Sequence, residues 1–282
     1  MSTFKRITVF GLSGQLGDAL LGPLLDRRVE IRAITRQPRA QRPGLEWMLA
    51  SLEAMPALAA EDLETIVSLG PLDAFADWFA SVLPVGSRVV AIGSAGRNDK
   101  FDSTDPAERA TAMRLRDAEE RLFSAAAACG AVPTVLRPTL LYGNGRDLSL
   151  SRLVAVARRW RLLPLPASAT GLRQPVHVAD VADAVMRCLD RPASTAGHGF
   201  DLPGGEQLSF RAMVARALAS QVPHARVVQL PNWVFRLGFA GARILGRRAA
   251  GLGLLERLRR DQTADFSPAQ AAFGYAPRRF DP

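Results

Sequence analysis

The stretch "RITVFGLSGQLGDALL" sets three glycines, Gly11, Gly14 and Gly17, between a β-rich pentad and a helical run. A strand that turns tightly into a helix points unpaired backbone N–H groups and the positive end of the helix dipole at one place. Missing side chains let a diphosphate come close. The spacing points to a dinucleotide, because the glycines stand directly between strand and helix; a turn that merely saves space is the plainer alternative. The second β-rich run, "EIRAITRQP", ends at Thr35 and Arg36. A carboxylate at this place accepts from a ribose 2′-hydroxyl, whereas an arginine pairs with a 2′-phosphate. Arg36 therefore predicts NADP in preference to NAD. A solvated loop arginine is the alternative, and Arg39 or Arg42 could share or replace the role.

Other residues able to do chemistry are few. The Ser94 hydroxyl, in "AIGSAG", could hydrogen-bond a carbonyl or a hydroxyl but is a poor acid alone. Asp99, Asp102 and Asp105 follow in a loop, where a buried carboxyl could donate a proton and an exposed one would simply be solvated. His177, in "PVHVADV", is expected to hydrogen-bond the backbone at a strand–helix junction. Tyr142 and Tyr275 are the two tyrosines of the chain and Lys5 and Lys100 its two lysines. Cys129 and Cys188 have no CxxC or Cys/His spacing around them, so no metal site or disulfide is expected and both read as buried thiols.

The elements that must position these residues alternate. Strand candidates "RITVF", "EIRAIT", "LEWML", "ETIVSL", "SRVVAIG" and "TVLRPTLLY" are separated by helical patterns near Gln15 to Asp26, Asp73 to Val82 and Pro106 to Cys129. That alternation predicts an α/β fold, a doubly wound parallel sheet with helices on both faces. The third helix has marked ends. Asp105 is placed to cap it, Pro106 fits the first position, Glu108 would complete a capping box, and Gly130 supplies a left-handed stop. Leu115, Ala118, Leu122, Ala125 and Cys129 recur at helical spacing and should face the sheet, with Ala112 and Arg116 on a neighbouring face.

At 282 residues, with 48% hydrophobic and 22% charged residues, the chain can build one large core with a smaller lobe. A net charge of +9, carried almost wholly by arginine, suits phosphate-bearing ligands. No groove-reading motif or aromatic-interleaved basic stripe accompanies it, so nucleic acid is not expected. No secretory signal and no run of about 20 apolar residues is present, which predicts a cytoplasmic protein. Residues 231–260 interleave Trp233, Leu237 and Ile244 with Arg236, Arg243 and Arg247. They read as outer helices of the smaller lobe, with a membrane-surface or protein contact as the alternative.

With "GLSGQLG", "SLGPL", "AIGSAG", "LRPTLLYGNG", "RQPVHVADVADAV", "FDLPGGEQLSF" and "DFSPAQAAFGYAPRRF" in this order, nearly the whole chain resembles the extended and atypical short-chain dehydrogenase/reductase family. The likeness is to its NAD-dependent epimerase/dehydratase-like branch and the NmrA-like proteins close to it. The resemblance implies a Rossmann-type core over residues 1–142, with returning segments from 174–202, and a mainly substrate-binding lobe over 143–282. Gly11, Ser13, Gly14, Gln15, Leu16 and Gly17, with Arg36, would hold the adenosine-phosphate half of the cofactor. Ser68, Leu69 and Gly70 would line the ribose side, and Ser94, Pro138, Leu140 and Leu141 would approach the nicotinamide. Gly145, Arg146, Arg173 and Gln174 fall where the family contacts its substrate, and two arginines there suit an anionic, nucleotide-sugar-like compound.

Two departures stand out. Ser51 occupies a place where the family often has an aspartate toward adenine. Ala112 and Arg116 occupy those of the tyrosine and lysine that carry proton transfer in active relatives, where a neighbouring ammonium makes the phenol a usable acid or base. Arg116, always protonated, could still bind ribose hydroxyls or an anionic substrate, or pair with Glu120. Two functions are then expected: an oxidoreductase or epimerase-like enzyme working through Ser94 and Arg116, or a non-catalytic cofactor-binding sensor, scaffold or assembly factor.

Overall fold

A computed structural model describes residues 4–145, 147, 150–237 and 252–282. Arg146 and residues 238–251 of the basic amphipathic segment lie outside the described residues. In chain order the first half runs β1 (Arg6–Phe10), α1 (Gln15–Asp26), β2 (Glu30–Thr35), β3 (Leu45–Leu49), β4 (Thr65–Ser68), α2 (Leu72–Val82), β5 (Arg88–Ile92), α3 (Gly96–Asp99), α4 (Pro106–Cys129), β6 (Val132–Pro138) and β7 (Leu141–Tyr142). The second half runs α5 (Leu150–Trp160), β8 (Leu162–Pro166), β9 (Leu172–Arg173), β10 (Val176–His177), α6 (Val178–Asp190), α7 (Pro192–Thr195), β11 (Gly199–Leu202), β12 (Leu208–Ser209), α8 (Phe210–Gln221), β13 (Arg226–Leu230), α9 (Leu252–Arg259) and α10 (Ser267–Phe273).

Seven strands form one parallel sheet in the order β11-β6-β5-β4-β1-β2-β3. Buried on both faces, these strands are apolar along their length rather than alternating, as Ile7, Val9, Val67 and Val89 illustrate. α1 and α6 cover one face around Leu20, Leu24 and Val185; α2 and α4 cover the other around Phe75, Phe79 and Leu122. The strand order reverses between β1 and β4, so a crevice opens beyond their carboxyl ends, the usual ligand position in such sheets. A third core, around Leu150, Leu163, Met213, Leu218 and Phe280, belongs to the small carboxy-terminal lobe.

Three local expectations are corrected. The run "TVLRPTLLY" is two strands: β6 ends at Pro138, and β7 pairs instead with β10. Proline offers no N–H to extend a ladder. Asp105 does cap α4, its Oδ1 accepting from Ala107 N at 2.9 Å, and Gly130 closes it at φ 67°. Glu108, however, accepts from the Ser103 hydroxyl at 2.7 Å instead of closing a capping box. The buried stripe of α4 is Ala112, Ala118, Glu119, Leu122 and Ala126, which leaves Cys129 only half-buried. The stripe shifts because Glu119, a charged residue 4% exposed, takes a core position: Arg137 grips it in a two-bonded pair and Arg97 adds a bond at 2.5 Å. Cys188 is buried, and burial pushes its thiol up to about 12.

Candidate dinucleotide site

The bend between β1 and α1 gives each glycine a separate task. Gly11 has φ +80°, and a Cβ there would lie 3.1 Å from the Gly70 nitrogen. Gly14 hydrogen-bonds back to the Gly11 carbonyl at 3.0 Å and heads α1 without a side-chain cap, so the first N–H groups of the helix have no intrahelical acceptor. A Cβ on Gly17 would fall 2.1 Å from the Leu12 carbonyl oxygen, so α1 packs against the bend only because that atom is missing. Leu16 is buried in the core, and Gln15 donates to the Gly143 carbonyl at 2.6 Å, tying the bend to the turn after β7.

Gly11, Ser13, Gly14, Arg36, Leu69 and Gly70 share one cavity of about 290 Å³. Ligand pockets usually run from about 300 Å³ upward, so this hollow matches half a dinucleotide better than a whole one. Ser68 stands level with Phe10 in the β1–β4 register, fully buried, and its hydroxyl has no hydrogen-bond partner among the described residues. The uncapped helix N–H groups, at a bend that Gly11 and Gly14 leave without side chains on the cavity, fit a diphosphate at this point. Arg36 is exposed at the cavity rim. Beside it Glu53, which sequence reasoning missed, is held below the usual carboxylate range by its own backbone N–H, the Ser51 hydroxyl and Arg36. Its place two residues beyond Ser51 was the available signal. A larger hollow of about 480 Å³ near Arg6 and Glu30 opens at the opposite, amino-terminal edge of the sheet and is walled by ion pairs.

At the other end of the crevice, Ser94 follows β5 and its Oγ accepts from Gly96 N at 3.2 Å. Ala112 is fully buried. Arg116 makes no ion pair with Glu120 among the described residues; its Nε donates to the Arg97 carbonyl at 3.0 Å and its guanidinium stacks 3.6 Å over the Phe101 ring. Both tyrosines are engaged away from α4. Tyr142 is 2% exposed, donating to the Arg279 carbonyl and accepting from Asp281 N, and Tyr275 is 1% exposed, donating to the Pro203 carbonyl at 2.9 Å. Burial raises both phenols above their ordinary range. His177 caps α6, its Nδ1 accepting from Ala179 N, and burial lowers its pKa.

The carbonyls of Pro138 and Leu140 accept from Ala95 N and Val176 N, and Leu141 pairs with Val176, so these three brace the carboxyl edge of the sheet. Arg173, 3% exposed, donates to the carbonyls of Leu172, Arg257 and Arg260, each at 2.7 Å, and so ties off the end of α9. Gln174, 4% exposed, bonds the Gly204 carbonyl and the Ala264 N–H. Both side chains tie β9 and the residue after it to the end of α9 and to the segments that follow α9 and β11. Gly145 is exposed in a turn at φ 62°. Of the three loop aspartates, Asp105 is the cap, Asp102 is exposed, and Asp99 is half-buried, its carboxyl pushed up to about 6 by burial and by Asp201. Among the described residues no group of His, Cys, Asp and Glu could hold a metal ion, and no helix is long and apolar enough to cross a membrane.

No family model matches the chain. A UDP-glucose 4-epimerase of Vibrio cholerae is 24% identical over 162 residues, which cover 57% of this chain and 47% of that one; the match thus spans about half the length of that relative. Among solved structures, the UDP-glucuronic acid 4-epimerase of Bacillus cereus, in complex with UDP-glucuronic acid and NAD, superposes with TM-score 0.71 over 98% of this chain and 95% of that one, at 12% identity. This is the fold of the NAD-dependent epimerases and dehydratases. A UDP-glucose 4-epimerase of Thermotoga maritima, with UDP-glucose, gives 0.68 over 96% and 93% at 13% identity. The dTDP-glucose 4,6-dehydratase of Bacillus anthracis, with NAD, gives 0.67 over 97% and 92% at 12% identity. Placed on the epimerase/dehydratase fold, the glycine bend of this chain occupies the first strand–helix turn of a doubly wound sheet, where dinucleotides bind as a class.

Proposed function

We propose that the chain binds a nicotinamide dinucleotide along the β1–β4 crevice, preferring NADP(H), and acts as an oxidoreductase or epimerase-like protein on an anionic, nucleotide-sugar-like compound. The observation that supports this reading most is the cradle: Gly11 at positive φ against Gly70, with the uncapped start of α1 and Arg36 on the same cavity. Residues 1–142 with returning segments from 174–202 form the cofactor half, and 143–282 mainly the substrate lobe. Bound nicotinamide would supply the hydride donor or acceptor, and the protein must then supply the proton.

One observation favours the second reading, a non-catalytic sensor or scaffold: Ala112 is a buried methyl group, Arg116 is tied to Arg97 and Phe101, and both tyrosines are buried elsewhere. Calorimetric titration with NADPH and NADH tests the core of the proposal. NADPH is expected to bind about tenfold more tightly, the size of one exposed charge-assisted pair to the 2′-phosphate, and Arg36→Ala to erase the difference. Equal affinities in the parent would contradict the preference, and no binding of either would contradict the site. Turnover of UDP-glucose or UDP-glucuronic acid by the parent would end the non-catalytic reading.

A further inference from the structure

The small lobe concentrates charge that the dinucleotide reading does not use. Residues 148–179 and 207–255 hold twelve arginines and no aspartate or glutamate. The whole chain has a net charge of +9, so everything outside these two stretches is acidic on balance. Two of the twelve are taken up within the fold: Arg173 is buried, and Arg216 pairs with Glu206 at 2.7 Å. Others surround exposed apolar side chains, and α5 shows how. Leu150, Val154 and Ala157 turn into the core of the lobe, which leaves Arg152, Val156, Arg159 and Trp160 together on the outward face of the helix. Val156 is 44% exposed and Trp160 69%, and the Arg159 guanidinium lies 5.3 Å from the centre of the Trp160 ring.

The patch continues onto the β8–β13 ribbon. Arg161 ends α5 in the left-handed region at φ 54°; its N–H donates to the Ala157 carbonyl at 2.8 Å, and its carbonyl accepts from Arg226 N at 3.1 Å. Leu162, 45% exposed, is the register partner of Arg226 at the start of the parallel ladder, so the two side chains stand on one face. Arg152, Arg158, Arg159, Arg161 and Arg226 are all exposed, and none makes an ion pair among the described residues.

We propose that the outward face of α5, with Arg161, Leu162 and Arg226, is a docking surface for the anionic face of a lipid bilayer, with Trp160 seated at the headgroup level. Charge complementarity selects the partner: five exposed guanidinium groups attract acidic headgroups and repel a second copy presenting the same patch. The exposed valine, leucine and tryptophan select lipid over nucleic acid, because a phosphate backbone offers aliphatic side chains no apolar phase, whereas tryptophan favours the membrane–water boundary. At 11 residues α5 is too short to span a bilayer, so it lies along the surface.

The full chain is floated with vesicles of phosphatidylcholine alone and with vesicles containing about one third phosphatidylglycerol, at roughly 0.1 M and 0.5 M salt. Binding is expected to the anionic vesicles and not to the neutral ones, and to fall steeply at the higher salt. Arg159→Gln and Arg161→Gly are expected to weaken it about fivefold each and about thirtyfold together, as guanidinium groups near an acidic surface should. Glycine suits the left-handed φ of residue 161, so Arg161→Gly keeps the thermal midpoint of the parent and its loss of binding reads charge. Anionic vesicles are expected to shift tryptophan emission to the blue, a shift largely removed by Trp160→Phe and kept in Trp233→Phe. Equal binding to both vesicles, binding to neither, anionic binding unchanged in the double arginine variant, or a blue shift kept in Trp160→Phe overturns the proposal. So does tighter binding of a short DNA duplex than of the anionic vesicles, which assigns the patch to nucleic acid, or a self-association lost in Trp160→Ser, which assigns it to a second copy.

Discussion

At the scale of single residues, the places that the resemblance assigns to a phenol and a lysine hold the buried Ala112 methyl and Arg116, stacked on Phe101. Asp99 is a carboxyl kept where it costs stability. Its native pKa of about 6 lies above the usual 3.8, so the folded state binds more protons than the unfolded state between these values. Stability from this group is therefore lost as pH rises through that window, and neutral pH carries the full penalty. Because the carboxyl is only half-buried, solvent screening leaves about 1 kcal/mol of it. Asp99→Asn should accordingly raise Tm by roughly 2 °C at pH 7.5 and leave it unchanged at pH 4. A thermal scan showing the same difference at both pH values would remove Asp99 from the titrating groups.

At the scale of elements, the sequence was most legible where the backbone needs a particular residue. The bend glycines, the Asp105 cap and the Gly130 stop follow from steric and hydrogen-bonding demands that hold locally, and each is found where its residue stands. What stayed hidden depends on partners distant in sequence. Glu119 reads as an exposed helix residue until Arg97 and Arg137 close on it, and Arg173 reads as a free anion-binding arginine until the end of α9 uses its donors. Beyond its place after Ser51, Glu53 carries no local signature and is marked only when the fold brings Arg36 beside it on the same cavity. The buried cluster gives α4 a sharp prediction. Glu119→Gln leaves two arginines without their shared carboxylate and should destabilise the protein by about 3 kcal/mol, measured by urea unfolding. A loss under 1 kcal/mol would mean that the cluster contributes little to holding α4 on the sheet.

For the whole molecule, the doubly wound sheet separates the bend between β1 and α1 from the residues after β5 and on α4, so that either can change without the other. The bend is built of backbone, whereas Ser94 after β5 and Arg116 on α4 act through side chains, Ser94 accepting from Gly96 N and Arg116 donating to the Arg97 carbonyl. Arg173 and Gln174 tie β9 to the end of α9, to Gly204 and to Ala264 through backbone carbonyls and N–H groups, which holds the small lobe together. The most direct measurement is a crystal structure grown with saturating NADPH. The account predicts the diphosphate against Gly11 and Gly14, the 2′-phosphate at Arg36, and the nicotinamide beside Ser94 with no tyrosine hydroxyl in hydrogen-bonding reach. A map with the bend empty, or with Tyr142 or Tyr275 turned onto the ring, would contradict it.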